Sequence, residues 1–140
     1  MDVIADRPRR VLVVEPDAVT RELLTNVLRL AGFEAIATET GEQALRRTRR
    51  ERGAFDALLA TADLPGLVDG WIVADEFRAT QPNRPVVIAA DGDAGDDEFS
   101  AVLPRPVAPF TALALIKSLL DRCEVQVTGV GWTEPPRAVA

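Results

Sequence analysis

Short apolar, β-branched runs alternate with stretches of helical period along this 140-residue chain, and no other feature constrains its fold as much. A strand that is apolar on both faces must be covered on both faces, and intervening helices do this for a parallel sheet. Residues 11–14 (Val-Leu-Val-Val) form the first such run, ending at Glu15, Pro16 and Asp17. From Ala18 the period becomes helical, with Val19, Leu23, Val27 and Leu30 expected to share one stripe with Leu24 and Leu28. Asp17 is suited to cap that helix and Gly32 to stop it. Residues 33–38 read as a second strand, and Thr40 caps a second helix running to about Arg52 and Gly53. A third strand at 56–60 leads through Pro65 and Gly66 to a third helix over 70–80, which stops before Pro82. A fourth strand at 86–90, a short fifth at 101–103 and a last helix over 109–122 complete the alternation.

Two stretches break the pattern. Residues 91–100 are rich in Asp, Gly and Glu and have hardly any apolar stripe, so a helix between the fourth and fifth strands is expected to be shortened or absent. Residues 123–140 carry Gly129, Gly131, Pro135 and Pro136 and are expected to form a flexible tail. Within it, 125–128 alternates as a short added strand would. The expected organisation is one domain over 10–122, with an extension at 1–9 and the tail at 123–140.

Composition removes several function classes. The absence of histidine excludes histidine general bases, histidine metal ligands and a phosphohistidine donor. A net charge of −6 disfavours nonspecific nucleic-acid binding. No apolar run approaches the length of a membrane span, and the first ten residues lack the apolar core of a secretory signal. The single cysteine, Cys123, cannot form an internal disulfide, suits a cytoplasmic setting and reads as an idle thiol.

Residues 55–66 (Phe-Asp-Ala-Leu-Leu-Ala-Thr-Ala-Asp-Leu-Pro-Gly) resemble the third strand and following loop of a response-regulator receiver domain, the phosphate-accepting module of two-component signalling. Residues 11–17 resemble that family's first strand with its acidic pair, and Arg105-Pro106 its Lys-Pro step. The resemblance covers about 10–122. It implies a flavodoxin-like (CheY-like) α/β fold, a doubly wound five-stranded parallel sheet of order 2-1-3-4-5, and a non-enzymatic signalling role in bacteria. It also implies a site of four parts: an acidic pair holding a divalent cation, an aspartate nucleophile, a lysine, and a Ser or Thr that contacts the phosphoryl group.

This chain departs from that pattern at nearly every part. Counting back from Pro65 and Gly66 puts Thr61 at the acceptor position, and a hydroxyl cannot form the acyl phosphate. Glu15 fills the first acidic position but Pro16 the second, with Asp17 expected to cap the helix. Asp63 stands where the family offers mainly a backbone carbonyl. Ala90 replaces the hydroxyl residue, Val102 the switching aromatic and Arg105 the lysine. The resemblance therefore implies a pseudo-receiver with no catalytic residue and no organic cofactor. Its Mg2+ site at Glu15, Pro16, Asp17 and Asp63 is vestigial, and binding there is expected to be weak or lost. Arg105 is expected either to pair with Glu15 in place of the metal or to be solvated with it at the pocket rim.

The leading functional reading is a stand-alone interaction module of a phosphorelay pathway. Its partner would be a histidine kinase or other signalling protein, with a homodimer favoured by uncovered strands and no nucleic-acid or membrane partner. A second reading is a working receiver with a shifted acceptor, Asp63. A third, a small flavodoxin-like ligand binder, lacks a Gly-rich or Ser/Thr-rich phosphate cradle after the first strand. Three further features are read plainly. Arg46, Arg47, Arg49, Arg50 and Arg52 are expected to form a solvated helix face balanced by Glu39, Glu42 and Glu51, rather than a basic surface for an acidic partner. Asp91, Asp93 and Asp97 resemble a calcium loop too loosely to bind metal. Trp71 is expected to be partly buried, and Trp132 lies in the tail.

Overall fold

The computed structural model describes residues 8–91 and 100–130, with residues 124–130 described by their backbone. Strands β1 (Arg10–Val14), β2 (Glu34–Thr38), β3 (Ala57–Thr61), β4 (Val86–Ala89) and β5 (Ser100–Leu103) form one sheet. All pairings are parallel and the order is β2-β1-β3-β4-β5. Helices α1 (Ala18–Leu30), α2 (Gly41–Arg50), α3 (Gly70–Thr80) and α4 (Pro109–Val130) cover both faces. This is the doubly wound α/β architecture that the alternation requires.

Period-2 alternation within the strands sorts the core into two layers. Val11, Val13, Leu59 and Val87 point to the face where Leu24 and Leu28 of α1 meet Ile116 and Leu119 of α4. Leu12, Val14, Leu58 and Ile88 point to the other, against Leu45 of α2 and Val73 and Phe77 of α3. Each of these side chains is at most about a tenth exposed. Burial of this kind contributes roughly 1.5–3 kcal/mol per large apolar side chain.

Local signals fix the helix ends. Asp17, Thr40 and Asp69 each accept a backbone N–H of the following first turn, from Thr20, Gln43 and Ile72 respectively. Helix α1 ends in a Schellman arrangement: Gly32 N–H donates to Arg29 O and Phe33 N–H to Leu28 O, both at 3.0 Å. The turn needs φ of +97° at Gly32, which explains the glycine.

The structure revises three expectations. Only part of the α1 stripe faces inward: Leu24, Thr25 and Leu28 are buried, whereas Val19, Leu23 and Leu30 are exposed. Leu23 and Leu24 lie about 100° apart on a 3.6-residue helix, so one packing face cannot take both. Helix α4 runs on to Val130, past the expected end at Arg122. The short strand expected over 125–128 is therefore helical, because extending an existing helix is easier than starting a strand with no partner. The expected tail thus begins in helix, and its remaining residues, Trp132 included, lie outside the described residues, as does the extension through residue 7. The expected loss of a helix between β4 and β5 falls largely on 92–99, also outside them; among the described residues no helix joins those strands.

Candidate functional site

The strand order reverses beside β1, between β2 on one side and β3 on the other, and ligands of open α/β sheets sit at the carboxyl ends of such strands. Two polar side chains meet there. Thr61 ends β3 and is 4% exposed, and Glu15 follows β1 and is 7% exposed. The Thr61 hydroxyl donates a short hydrogen bond to Oε1 of Glu15. The other carboxylate oxygen accepts the Asp17 N–H at 3.0 Å. Both oxygens of a buried carboxylate are thus satisfied within the chain, as burial of such a group demands.

The backbone around this pair is held from several sides. Glu15 N–H donates to Thr38 O at 3.1 Å, and Ala62 N–H to Ala89 O at 2.9 Å. Gly70, the first residue of α3, packs so tightly on the end of β3 that a Cβ there would lie 2.2 Å from Thr61 O. Arg21, which the sequence reading passed over, reaches back from α1 to donate to the carbonyls of Glu15 at 2.9 Å and Pro16 at 3.2 Å. Its one sequence signal is its place in the first turns of the helix that follows this loop.

The remaining positions fall around the same end of the sheet without joining the pair. Asp17 turns to α1, accepting from the Thr20 N–H at 2.9 Å and hydroxyl at 2.8 Å. These bonds, the backbone one first, hold its carboxyl below the usual aspartate range. Pro16 offers no side-chain oxygen. Asp63 lies two residues beyond β3 with its side chain 84% exposed, and its partner is Arg105, at 3.7 Å. This corrects the expected Arg105–Glu15 pair: the Thr61 hydroxyl and a backbone N–H already serve Glu15, and Asp63 is the acid that Arg105 reaches. Ala90 is buried just past β4 and Val102 is partly buried on β5. The Arg105–Pro106 peptide bond is cis. Among the described residues no three acidic or sulfur side chains gather as metal ligands.

Outside this region, Cys123 is buried and its Sγ donates to Asn83 O at 2.7 Å. Desolvation pushes its thiol above the ordinary range, which keeps it in the unreactive form. Trp71 is 38% exposed. No helix among the described residues is long and apolar enough to cross a membrane.

Comparison with known proteins agrees with this geometry. The sequence matches the response regulator receiver domain family over residues 11–103. It is 33% identical over 124 residues to the response regulator protein FleR of Pseudomonas aeruginosa, covering 86% of this chain and 26% of that one. It is 32% identical over 123 residues to the response regulator MprA of Mycobacterium leprae, covering 81% and 51%. The chain thus spans between a quarter and about half of the length of these relatives. Among solved structures, a response regulator receiver protein from Sinorhizobium medicae superposes with a TM-score of 0.76 at 22% identity, covering 84% of this chain and 98% of that one. The receiver domain of the hybrid histidine kinase CckA gives a TM-score of 0.69 at 27% identity, covering 79% and 98%.

Proposed function

Because the chain belongs to the response-regulator receiver family, the non-catalytic signalling modules of two-component pathways, we propose that it signals by protein contact without taking a phosphoryl group on aspartate. One observation carries this reading: Thr61, which the family resemblance puts at the acceptor position, gives its hydroxyl to Glu15. A threonine hydroxyl is not a carboxylate, so a phosphoryl group on it would be an ester and not the acyl phosphate of a receiver switch.

The surrounding residues support it. Mg2+ takes six oxygen ligands in near-octahedral geometry, typically one or two protein carboxylates with waters and carbonyls completing the set. Among the described residues Glu15 is the one buried carboxylate at the pocket, and both its oxygens have donors. Asp17 caps a helix and Asp63 faces Arg105. This donor set does not fit Mg2+, and binding is weak or lost. Ala90 supplies no hydroxyl and Val102 no aromatic ring with which to report an occupied site. The partner is then a histidine kinase or another signalling protein of the same cytoplasmic pathway, or a second copy of the chain.

The test is intact-mass spectrometry of the protein after incubation with Mg2+ and acetyl phosphate. The expected spectrum is unchanged. A stable phosphoryl adduct that maps to Asp63 would replace this reading with that of a receiver whose acceptor has shifted.

A further inference from the structure

We propose that the arginine-lined recess between α2 and β2 is a docking site for an acidic segment of a partner protein. It deepens the reading above by naming the surface through which protein contact is made. The recess, of about 230 Å³, is lined by Ala37 and Thr38 of β2 and by Gln43, Arg46, Arg47 and Arg50 of α2. Positions 43, 46, 47 and 50 follow the i, i+3, i+4, i+7 rule and share one helix face.

Of the acids expected to neutralise this face, Glu39 and Glu42 are engaged elsewhere, and Glu51 serves one of its arginines, Arg47. Glu39 pairs with Arg21 at 3.7 Å. Glu42 accepts the Leu67 N–H at 3.3 Å. Glu51 pairs with Arg10 at 3.1 Å and takes the Nε of Arg47. Arg49, off the recess, pairs with Glu76 at 3.1 Å. Among the described residues Arg46 and Arg50 have no hydrogen-bond or ion-pair partner, and both are exposed. Like charges four residues apart on a helix repel each other, and on a chain of net charge −6 such a concentration of positive charge runs against the overall balance.

The donors suit carboxylates spaced along a peptide. Arg46 and Arg50 each present a full guanidinium fork, and Arg47 keeps its terminal nitrogens free of the bond that its Nε makes to Glu51. The Gln43 side chain uses its oxygen to accept the Glu39 N–H at 2.9 Å, which leaves its amide hydrogens available. Ala37 lies on the outer strand of the sheet, so its backbone edge borders the same recess. A segment with two or three acidic residues in a row or at alternate positions would meet this set of donors, whereas an apolar or basic one would not.

The probe is a fluorescein-labelled hexaglutamate peptide, read by fluorescence anisotropy at low ionic strength. An Arg46→Gln/Arg50→Gln double variant should bind at least about tenfold more weakly than the natural protein. An Arg49→Gln/Arg78→Gln control carries the same change in net charge away from the recess and should differ by less than about twofold. Circular dichroism confirms that both variants fold. No binding by the natural protein, or an equal loss in the control, would overturn the proposal. Tighter binding of a single-stranded RNA hexamer at the same site would overturn it in favour of a nucleic-acid backbone. Displacement by inorganic phosphate at equal charge concentration would reduce it to a simple anion site, and so refute it as well. The phosphodonor assay reads different residues, so either proposal can fail alone.

Discussion

Thr61 shows how one side chain can fit a buried carboxylate at the position where the proposed reading places a lost acceptor. It stands at the end of β3, and its hydroxyl serves Glu15. Thr61→Val keeps the shape and removes the donor, leaving Oε1 of Glu15 buried with a lost partner. The expected cost is about 1–3 kcal/mol, read from the urea midpoint, with Thr61→Ser recovering most of it. Equal stability of the Val variant would show that the hydroxyl does not hold Glu15. Asp17 behaves differently because it acts through its charge at a helix start. Its folded pKa is lowered, chiefly by the Thr20 N–H. The stability it adds is therefore complete above the usual aspartate value and is lost as pH falls through the lowered folded value. Asp17→Ala should lower the urea midpoint at neutral pH, and the gap from the natural protein should close in acid below the usual aspartate range. A gap independent of pH would mean that packing, not the cap, is what the variant removes.

Elements place these residues by close contact, and Gly70 is the tightest case. A methyl group there would meet Thr61 O at 2.2 Å and Ala62 Cα at 2.8 Å, both backbone atoms. Gly70→Ala must push α3 off the end of β3. It should cost about 1–3 kcal/mol by overpacking, although alanine favours helix, and calorimetry would read the loss as a lower Tm. An unchanged Tm would mean that the contact between α3 and β3 relaxes freely. Much at this scale was legible in the residues themselves. Helix α3 begins and ends where Asp69, Gly70 and Pro82 predict, and β1 and β3 follow their apolar runs to within a residue. The cap at Asp17 and the stop at Gly32 are local chemistry, visible in sequence because their partners lie within a few positions. What stayed hidden depended on distant partners. Which of two acids Arg105 reaches, and that Thr61 bonds Glu15, are settled by how three loops meet, and residue spacing carries no record of that. The α1 stripe faces inward only in part for a related reason, since Val19, Leu23 and Leu30 fit a helical period but α4 covers a neighbouring face.

Across the whole molecule, the positions that the proposed reading takes as altered lie on separate elements and converge on one end of the sheet. Residues 15–17 follow β1, Thr61 ends β3, Ala90 follows β4 and Arg105 follows β5. On that reading, restoring one of them does not restore a site. In Thr61→Asp the new carboxylate would sit at hydrogen-bond distance from Glu15, and two buried carboxylates so close cannot both ionise without a cation between them. Pro16 adds no oxygen with which to hold that cation, and Arg105 stays with Asp63. Thr61→Asp alone should therefore lose stability and remain unlabelled by acetyl phosphate. The combination Pro16→Asp, Thr61→Asp, Ala90→Thr and Arg105→Lys should take the phosphoryl group in the presence of Mg2+. Mg2+ should also raise its Tm, because a ligand that binds only the folded state adds stability as its concentration exceeds the Kd. Intact mass and thermal melts with and without Mg2+ read both effects. Labelling of Thr61→Asp to the same extent as the combination would show that the acceptor alone separates this chain from a working switch, and that the other positions changed without consequence for the chemistry.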